Sequence, residues 1–439
     1  MDWIVGKHLE CNANGHLEIG GVDALKLAAE YKTPVLVLNE QRLRVRFREL
    51  QKSLKKGYNN VQVCYAVKAN PCLAVLKILL NEGAGLEVVS ECELLTALKA
   101  GAKSESIVFN GPNKSEKELE LAVKNQVKIN VDSFSELRRL EVICKSLNKT
   151  ADVFIRLNPA ITPKTNENLT TGAEINQFGV YLNDAERVFE LASKIPQINL
   201  KGIHMHIGSQ ITSLEPFKEM VNKAFKIVVK LREQGIFLTY LNFGGGLGVQ
   251  YEGVTKLPTA GEYGTAVTAT IKSNMEKHGL KDLHLLFEPG RYISADAGVY
   301  LLKIGTIKTP PAGRKWVLVD GGSNILLRAA LGIYKFRMIL ANKANLEPNE
   351  LVNVGGPLCF GGDVIGRSVN LPSPEEGDVL AVFCSGAYTD SISHQYNMRP
   401  RPAMVLVNEG KHYLIKRAEQ CEDLVARDII PDHLKDIGK

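Results

Sequence analysis

The chain has 439 residues, of which 45% are hydrophobic and 23% charged, and its formal net charge is +6. This length exceeds what one hydrophobic core usually supports, so we expect two domains, and the composition excludes a disordered chain. Charged residues of both signs are mixed without blocks of one sign, which argues against nucleic acid or a membrane as partner. The eight cysteines form no C-x-x-C pair, and neither a signal peptide nor an apolar run of bilayer length is present. We therefore expect reduced thiols and a cytoplasmic location.

From residue 61 onward, short apolar segments alternate with amphipathic ones. The apolar segments predict eight strands, over 61–67, 85–90, 106–111, 127–133, 152–158, 200–206, 240–245 and 284–290. Helical spacing of apolar residues in 117–125, 135–147 and 216–234 predicts helices between them. Eight alternating units predict a (β/α)8 barrel over residues 40–291. The long segment 158–178, rich in Asn and Thr, predicts a functional loop over the barrel mouth.

After about residue 292 the pattern changes. Apolar runs at 299–304, 316–319 and 379–383 are separated by Pro and Gly turns and lack helical spacing, which predicts an all-β domain. We expect residues 1–39 to join this domain or to lead into the barrel. The predicted fold class is α/β, with the barrel followed by a C-terminal all-β domain built from residues 1–39 and 292–439.

A single lysine ends the first predicted strand. Val61–Val67 leads to Lys68, and Asn70-Pro71 breaks the strand directly afterwards. A lysine at the end of a buried strand loses hydration, which lowers the pKa of its amine and makes it a nucleophile for carbonyl groups. The alternative is a lysine that only caps the strand and reaches water.

Two motifs follow the sixth and seventh predicted strands. His204 and His206 share one face of a strand, and Ser209 follows them. A metal site, a buried core histidine at 204, and an imidazole stacked on an aromatic cofactor with Ser209 donating to its phosphate are all compatible. The last is the most economical, because no further metal ligands are suggested. The glycines of 244–248 predict a phosphate-binding loop or a plain tight turn.

Three further motifs carry ionisable groups. Glu288–Arg291 ends the eighth strand, where a carboxylate can keep a heterocyclic nitrogen protonated and Arg291 can bind phosphate or carboxylate. A salt-bridged turn is the alternative. Gly356–Cys359 places a thiol that can donate a proton, and Gly386–Tyr388 places a hydroxyl that can bind phosphate.

In this order the motifs resemble those of the fold-type III pyridoxal-phosphate decarboxylases. The resemblance spans roughly residues 30–410 and, through Tyr396–Pro402, is strongest to the diaminopimelate decarboxylases. It implies that Lys68 holds pyridoxal 5'-phosphate as a Schiff base, that His206 stacks on its ring, and that Glu288 pairs with the ring nitrogen. It implies a phosphate site formed by Ser209, Gly245, Gly246, Gly248, Arg291 and Tyr388. No metal is expected.

The resemblance also implies a homodimer with shared active sites. Cys359, contributed by the β domain across the dimer interface, would protonate the α-carbon. The substrate, an amino acid bound as a small molecule, would contact Arg291, Arg328, Phe360 and Tyr388. Decarboxylation follows from this set, since the cofactor accepts the electrons that the departing carboxylate leaves behind.

Three positions depart from the resemblance. Phe360 follows Cys359 where an acid is usual, Gly332 replaces a tyrosine, and Asn168 replaces a histidine, whereas Arg328 is retained. The default prediction is decarboxylation of meso-diaminopimelate to L-lysine. The alternative is a decarboxylase of another basic, neutral or carrier-linked amino acid. A non-catalytic relative and a racemase of similar fold are further alternatives, against which the retained lysine and the acidic Glu288 argue.

Overall fold

The structure, a computed structural model, describes residues 8–163, 165–254 and 256–435. The chain divides into two compact units. The barrel unit comprises Glu40–Ala297 and Gly386–Ser391, and the β-rich unit comprises the residues up to Asn39, Gly298–Ser385 and the residues from Ile392 onward. Residues 292–297 and 386–391 thus lie in the barrel unit, whereas the sequence pattern assigns them to the β domain.

Eight parallel strands close the barrel, which confirms the predicted (β/α)8 fold. Each strand begins within two residues of its predicted start. In chain order the strands are Val61–Ala66, Gly85–Val88, Ile107–Phe109, Lys128–Val131, Ala151–Asn158, Ile198–Met205, Tyr240–Asn242 and His284–Phe287. The eighth strand pairs with the first, with Leu285 opposite Val61, so the sheet has no free edge between them.

Helices alternate with the barrel strands. They are Glu40–Gly57, Leu73–Asn81, Glu91–Lys99, Glu116–Lys124, Phe134–Leu147, Ala185–Ser193, Glu215–Glu233, Ala260–His278 and Arg291–Ser294. Local sequence determines where several of them begin, since Ser115 and Thr259 each form a capping box with a glutamate three residues later. The three helices predicted from spacing are present within one residue of their predicted bounds.

The described residues of the β-rich unit form two sheets. The small sheet is formed by Leu9–Cys11, Leu17–Ile19 and Val22–Asp23. The large sheet is formed by Val35–Asn39, Gly298–Lys308, Trp316–Val319, Met338–Leu340, Glu350–Gly355, Val364–Leu371, Val379–Val382, Ala403–Asn408 and Lys411–Lys416. The unit also has the helices Ala24–Tyr31, Leu327–Ala330 and Cys421–Val425, so it is rich in sheet but not purely β.

The strand Val35–Asn39 explains why the N-terminal residues belong to this unit. All five residues are buried, and the strand pairs antiparallel with Gly298–Lys308 and parallel with Ala403–Asn408. A strand with neighbours on both sides and both faces covered reads as an unbroken apolar run. The run Val-Leu-Val-Leu therefore indicates a central strand.

Two further features concern the whole chain. Of the helices that the structure describes, none has both the length and the apolarity needed to cross a bilayer. All eight cysteines lie in the described residues and are free thiols.

Candidate active site

A layer of buried polar side chains lies at the carboxyl ends of the barrel strands. Strands two to eight each contribute at least one such residue, near the strand end or directly after it, among them Glu87, Asn110, Asn130, Arg156, His204, Asn242 and Glu288. Each of these residues is at most 7% exposed. The carboxyl ends of barrel strands are where active sites form in this fold. We therefore place the candidate active site at this end.

A cavity of about 360 Å³ lies at the same end of the barrel. Its lining includes Lys68, Glu87, His206, Glu288, Arg291 and Tyr388. A volume of this size suits a small cofactor or ligand. Of the predicted cofactor-binding residues, the cavity wall also contains Ser209, Gly245 and Gly246.

Lys68 follows the end of the first strand. The strand ends at Ala66, and Lys68 lies in a turn of 3₁₀ helix, Val67–Ala69, where its amine forms an ion pair with the fully buried Glu87. Burial alone would lower the pKa of the Lys68 amine, but the negative charge of Glu87 outweighs it and the pKa is raised. The predicted lowering of this pKa is therefore wrong, because the sequence pattern does not show the buried carboxylate.

Glu288 is held as a carboxylate inside the layer. Its oxygens accept hydrogen bonds from the side-chain amides of Asn110 at 2.9 Å and Asn242 at 2.6 Å. The Nε2 atom of His204 lies 3.3 Å from the Oε2 atom of Glu288. Burial would raise the pKa of Glu288, but His204, Lys68 and the amide of Asn242 together lower it. The carboxylate can therefore face a protonated ring nitrogen.

His206 presents a neutral ring to the cavity. Its Nδ1 atom accepts a hydrogen bond from the backbone N–H of Gly245 at 3.2 Å. Burial, together with the nearby charge of Arg156 and with His204, lowers the pKa of His206 to about 3. An uncharged imidazole can stack on an aromatic ring without carrying a buried charge.

Ser209, Arg291 and Tyr388 form one group at the cavity wall. The Nε atom of Arg291 donates to the Oγ atom of Ser209 at 3.1 Å, and Nη1 donates to the hydroxyl of Tyr251 at 2.9 Å. The guanidinium lies 4.8 Å from the centre of the Tyr388 ring. Tyr388 is held against the 3₁₀ turn that follows the first strand, since its backbone N–H donates to the carbonyl of Ala69. This group offers a cation and hydroxyls to an anion.

The glycine-rich segment packs against neighbouring loops. A Cβ atom at Gly245 would lie 2.3 Å from the carbonyl oxygen of Glu288, and one at Gly246 would lie 2.6 Å from that of Gly208. Gly248 donates its backbone N–H to the carbonyl of Ile211 at 3.1 Å. The backbones approach so closely that no side chain fits at Gly245 or Gly246. A plain tight turn would not need such contacts with neighbouring loops.

Cys359, Phe360 and Arg328 belong to the β-rich unit and do not line the barrel cavity. Cys359 is exposed, and its backbone N–H donates to the side-chain oxygen of Asn397 at 2.8 Å. Phe360 is 57% exposed and meets the ring of Tyr396 edge to face at 6.5 Å. The structure thus presents the predicted proton donor and an aromatic side chain together at one exposed turn.

Gly332 and Asn168 lie in separate units. Gly332 has a φ of +66° at the end of the short helix Leu327–Ala330, where the left-handed conformation favours glycine. Asn168 lies in the 3₁₀ helix Glu167–Leu169 within the predicted mouth loop. Neither residue lines the cavity.

Five members of the polar layer are not among the residues predicted from sequence: Glu87, Asn110, Asn130, Arg156 and Asn242. Each stands within or directly after an apolar strand, as in Gly-Leu-Glu-Val and Ile-Val-Phe-Asn. A polar residue recurring near the carboxyl end of consecutive predicted strands is the signal that could have found them, since buried polar residues there are costly unless they serve a site.

The side chains around the cavity fit pyridoxal phosphate. The site offers an amine, an anionic carboxylate fixed by two amides, a flat neutral imidazole and a buried arginine beside a serine hydroxyl. These groups match an aldehyde, a ring nitrogen, an aromatic face and a phosphate. The predicted roles of Lys68, His206, Glu288 and Arg291 are compatible with this geometry.

Known proteins that resemble this chain in sequence include pyridoxal-dependent enzymes, as the side chains around the cavity predict. Residues 41–295 match the family model of the pyridoxal-dependent decarboxylase, pyridoxal binding domain. The chain is 39% identical to the diaminopimelate decarboxylase of Methanothermobacter thermautotrophicus over 97% of this chain and 98% of that protein. It is 38% identical to the diaminopimelate decarboxylase of Bacillus subtilis over 95% of this chain and 96% of that protein.

Solved structures show the same similarity. The crystal structure of diaminopimelate decarboxylase from M. jannaschii in complex with L-lysine has a TM-score of 0.91 and 36% sequence identity, and the match covers 98% of this chain and 99% of that one. The chain therefore belongs to the pyridoxal-dependent decarboxylases, and it is an enzyme that uses pyridoxal phosphate.

Proposed function

We propose that this enzyme decarboxylates meso-diaminopimelate to L-lysine and carbon dioxide. The observation that carries the proposal is the buried, anionic Glu288 in a cavity that also holds Lys68, His206 and Arg291. Relatives of 35–39% identity along nearly their whole length are diaminopimelate decarboxylases, which supports this substrate. The retained Arg328 supports recognition of a second, distal carboxylate.

Each residue of the cavity would have a separate role in binding the cofactor. Lys68 would hold the cofactor covalently. The carboxylate of Glu87 forms an ion pair with the Lys68 amine. Glu288 would keep the ring nitrogen protonated, and His206 would cover one face of the ring. Arg291, with Ser209 and Tyr388, would bind the phosphate. Pyridoxal phosphate, when bound, supplies the electron-accepting ring that decarboxylation needs.

The protonation step is assigned to Cys359. Its thiol is exposed on the β-rich unit, at the turn that also carries Phe360. We propose that this turn reaches the active site of a second copy in a homodimer, where the thiol gives its proton to the α-carbon. This assembly and the cytoplasmic location stay predictions.

The test is carbon dioxide release from the cofactor-loaded enzyme with meso-diaminopimelate, lysine, ornithine and arginine in parallel. Release from meso-diaminopimelate alone, with L-lysine as product, is the expected result. Failure with all four, while the absorbance of the bound cofactor is intact, would contradict the proposed substrate. The variant Lys68→Ala is the control, because it should lose both the cofactor absorbance and carbon dioxide release.

A racemase is distinguished in the same samples. Exchange of the α-hydrogen for deuterium without carbon dioxide release would indicate racemisation. A protein that binds no cofactor would instead fit a non-catalytic relative.

One observation favours a second candidate, a decarboxylase of a different amino acid. The turn next to Cys359 offers no free carboxylate among its described residues 356–363. Its one acid, Asp363, is 6% exposed and accepts backbone N–H groups from Ser323 at 2.6 Å and Leu358 at 2.8 Å. A distal ammonium group of the substrate would therefore meet Phe360 and not an anion.

The variant Phe360→Glu separates these two candidates. If the pocket is adapted to an uncharged or longer distal group, the new carboxylate should lower KM for meso-diaminopimelate by about tenfold or more, since a buried ammonium gains a partner. Phe360→Leu is the matched control, because it removes the ring without adding charge. Equal turnover and KM in the wild type and Phe360→Glu would argue for meso-diaminopimelate as the natural substrate.

A further inference from the structure

We propose that Asn110 is a positioning residue that couples the two anionic groups of the cavity, Glu87 beside Lys68 and Glu288 beside His204. It would position both carboxylates through one shared donor, with Glu87 at the lysine and Glu288 at the site for the ring nitrogen. The inference rests on the proposed function, because it concerns how the enzyme prepares pyridoxal phosphate for decarboxylation.

The geometry shows one amide group shared by two carboxylates. Asn110 directly follows the third strand and is 4% exposed. Its Nδ2 atom donates to Oε1 of Glu87 and to Oε2 of Glu288, each at 2.9 Å. An amide nitrogen carries two hydrogens, so one side chain satisfies one oxygen of each carboxylate. Both hydrogens of Asn110 are therefore used between these two acids.

A second asparagine determines the orientation of this amide. The Oδ1 atom of Asn110 accepts a hydrogen bond from the side-chain amide of Asn130, on the fourth strand. Turning the Asn110 amide over would place its oxygen against two carboxylates and its NH₂ group against another NH₂ group. Every contact would then be repulsive, so the observed orientation is the only favourable one.

The charges around the pair explain why a neutral donor is needed between them. Two buried carboxylates this close repel each other, and a neutral donor shared between them reduces that repulsion. The other charged or titratable groups that face them are Cys64, Lys68, Glu93, Arg156, His204 and His206. Asn110 stabilises both anions without adding a charge. Glu87 can then pair with Lys68, and Glu288 can pair with the ring nitrogen of the cofactor.

Asn242 offers a matched control. It also donates to Glu288, at 2.6 Å, and it also comes from a strand end in the polar layer. Its Oδ1 atom accepts a hydrogen bond from the backbone N–H of Gly244, and its amide donates to Glu288 rather than to Glu87. Replacing Asn242 should therefore remove one hydrogen bond to Glu288. The amide of Asn110 that Glu87 and Glu288 share would stay in place.

The experiment is a double-mutant cycle on the affinity of the full chain, freed of cofactor, for pyridoxal phosphate. Asn110→Ala should weaken binding by about tenfold or more when Glu87 is present, but by less than about threefold in a Glu87→Gln background, where the repulsion is absent. Asn242→Ala should weaken binding by the same factor in both backgrounds. An equal loss for Asn110→Ala in both backgrounds would overturn the proposal.

A second variant covers the case in which Asn110→Ala does not fold. Asn110→Asp can donate one hydrogen bond while protonated, but it becomes a third adjacent anion when ionised. Its affinity for pyridoxal phosphate should fall between about pH 6 and pH 9 by about tenfold more than that of the wild type. A pH dependence identical to that of the wild type would contradict the coupling.

These measurements stand apart from the substrate assignment. Cofactor affinity is read without any amino-acid substrate, so a failure to release carbon dioxide from meso-diaminopimelate leaves the cycle unaffected. Conversely, equal losses of cofactor affinity in both backgrounds would overturn the role of Asn110. They would not change which amino acid releases carbon dioxide.

Discussion

Single charged neighbours determine the protonation states in the cavity. Lys68 is the clearest case, because burial lowers the pKa of its amine but the ion pair with Glu87 raises it by more, so the net shift is upward. His206 has no such partner, and burial therefore keeps its ring neutral. The same barrel end thus stabilises one charged group and one uncharged group through their different neighbours.

The neutral His206 predicts an acid-sensitive barrel. The unfolded chain binds a proton at this histidine below its ordinary pKa of 6.5, whereas the folded chain does so only near 3. Stability should therefore rise with pH between these values and be lost as the pH falls through them. Between about pH 6.5 and pH 4.5, the free energy of unfolding should fall by about 2 kcal/mol more in the wild type than in His206→Gln.

Urea unfolding at the two pH values provides the measurement. His284→Gln is the control, because that ring is exposed at the start of the eighth strand. Identical acid sensitivity of the wild type and His206→Gln would show that the ring is not held neutral.

At the scale of elements, the loops after the strands are shaped by close backbone contacts. Gly244 follows the seventh strand with a φ of +59°, and a Cβ atom there would lie 2.6 Å from Nδ1 of His206. The loop therefore positions the imidazole by leaving no room for a side chain.

We expect Gly244→Ala to displace His206. The variant should lose about 1–2 kcal/mol of stability from the left-handed backbone and bind pyridoxal phosphate about tenfold more weakly because of the clash. Gly253→Ala is the matched control, since Gly253 has a φ of +80° and nothing lies within 4 Å of the added Cβ. Equal cofactor affinities of the two variants would contradict a positioning role of Gly244. Cofactor titration and thermal unfolding measure the two effects.

In the β-rich unit, Asp363 joins two loops. Its carboxylate accepts backbone N–H groups from Ser323 and from Leu358, next to Cys359. Cβ atoms at Gly322 or Gly356 would lie within 2.3 Å of this carboxylate, so both loops pack tightly around it.

Asp363→Asn should therefore move the turn that carries Cys359. An amide presents NH₂ to one of the two N–H donors, which should cost about 1–3 kcal/mol of stability. We expect kcat to fall while the affinity for pyridoxal phosphate is unchanged, because the barrel cavity is intact. Asp432→Asn, whose carboxylate is exposed, is the control. An unchanged kcat in Asp363→Asn would separate this loop from the reaction.

At the scale of the whole molecule, the chain divides its predicted reactive groups between two units. The barrel unit holds the cavity, whereas the β-rich unit holds Cys359, Phe360 and Arg328. Shared active sites in a homodimer would bring such groups together across a two-fold axis.

Mixing two inactive variants tests this assembly. Lys68→Ala lacks the proposed cofactor-binding lysine and Cys359→Ala lacks the proposed proton donor, so each alone should be nearly inactive. After subunit exchange, half of the dimers contain one intact site, and about a quarter of the wild-type activity should return. No recovery in the mixture, or full activity of a monomer, would contradict the shared site. Carbon dioxide release with size-exclusion chromatography provides the readout.

The sequence by itself determined the barrel and most of its cavity. Strand and helix periods are local properties, and Lys68, His206, Glu288 and Arg291 follow strands that the apolar pattern predicts. Because the carboxyl ends of barrel strands meet at one face, correct strand assignments also predicted which motifs come together.

Only the tertiary structure decided the contacts within that face. The pairing of Lys68 with Glu87 and the sharing of Asn110 by two carboxylates join residues from different strands, and no local pattern encodes such distances. The pKa of Lys68 was predicted with the wrong sign for this reason, since electrostatic energy depends on separation in space and not along the chain. The same holds for residues 386–391, which lie far from the barrel in sequence but pack with it through the backbone contact of Tyr388 with Ala69.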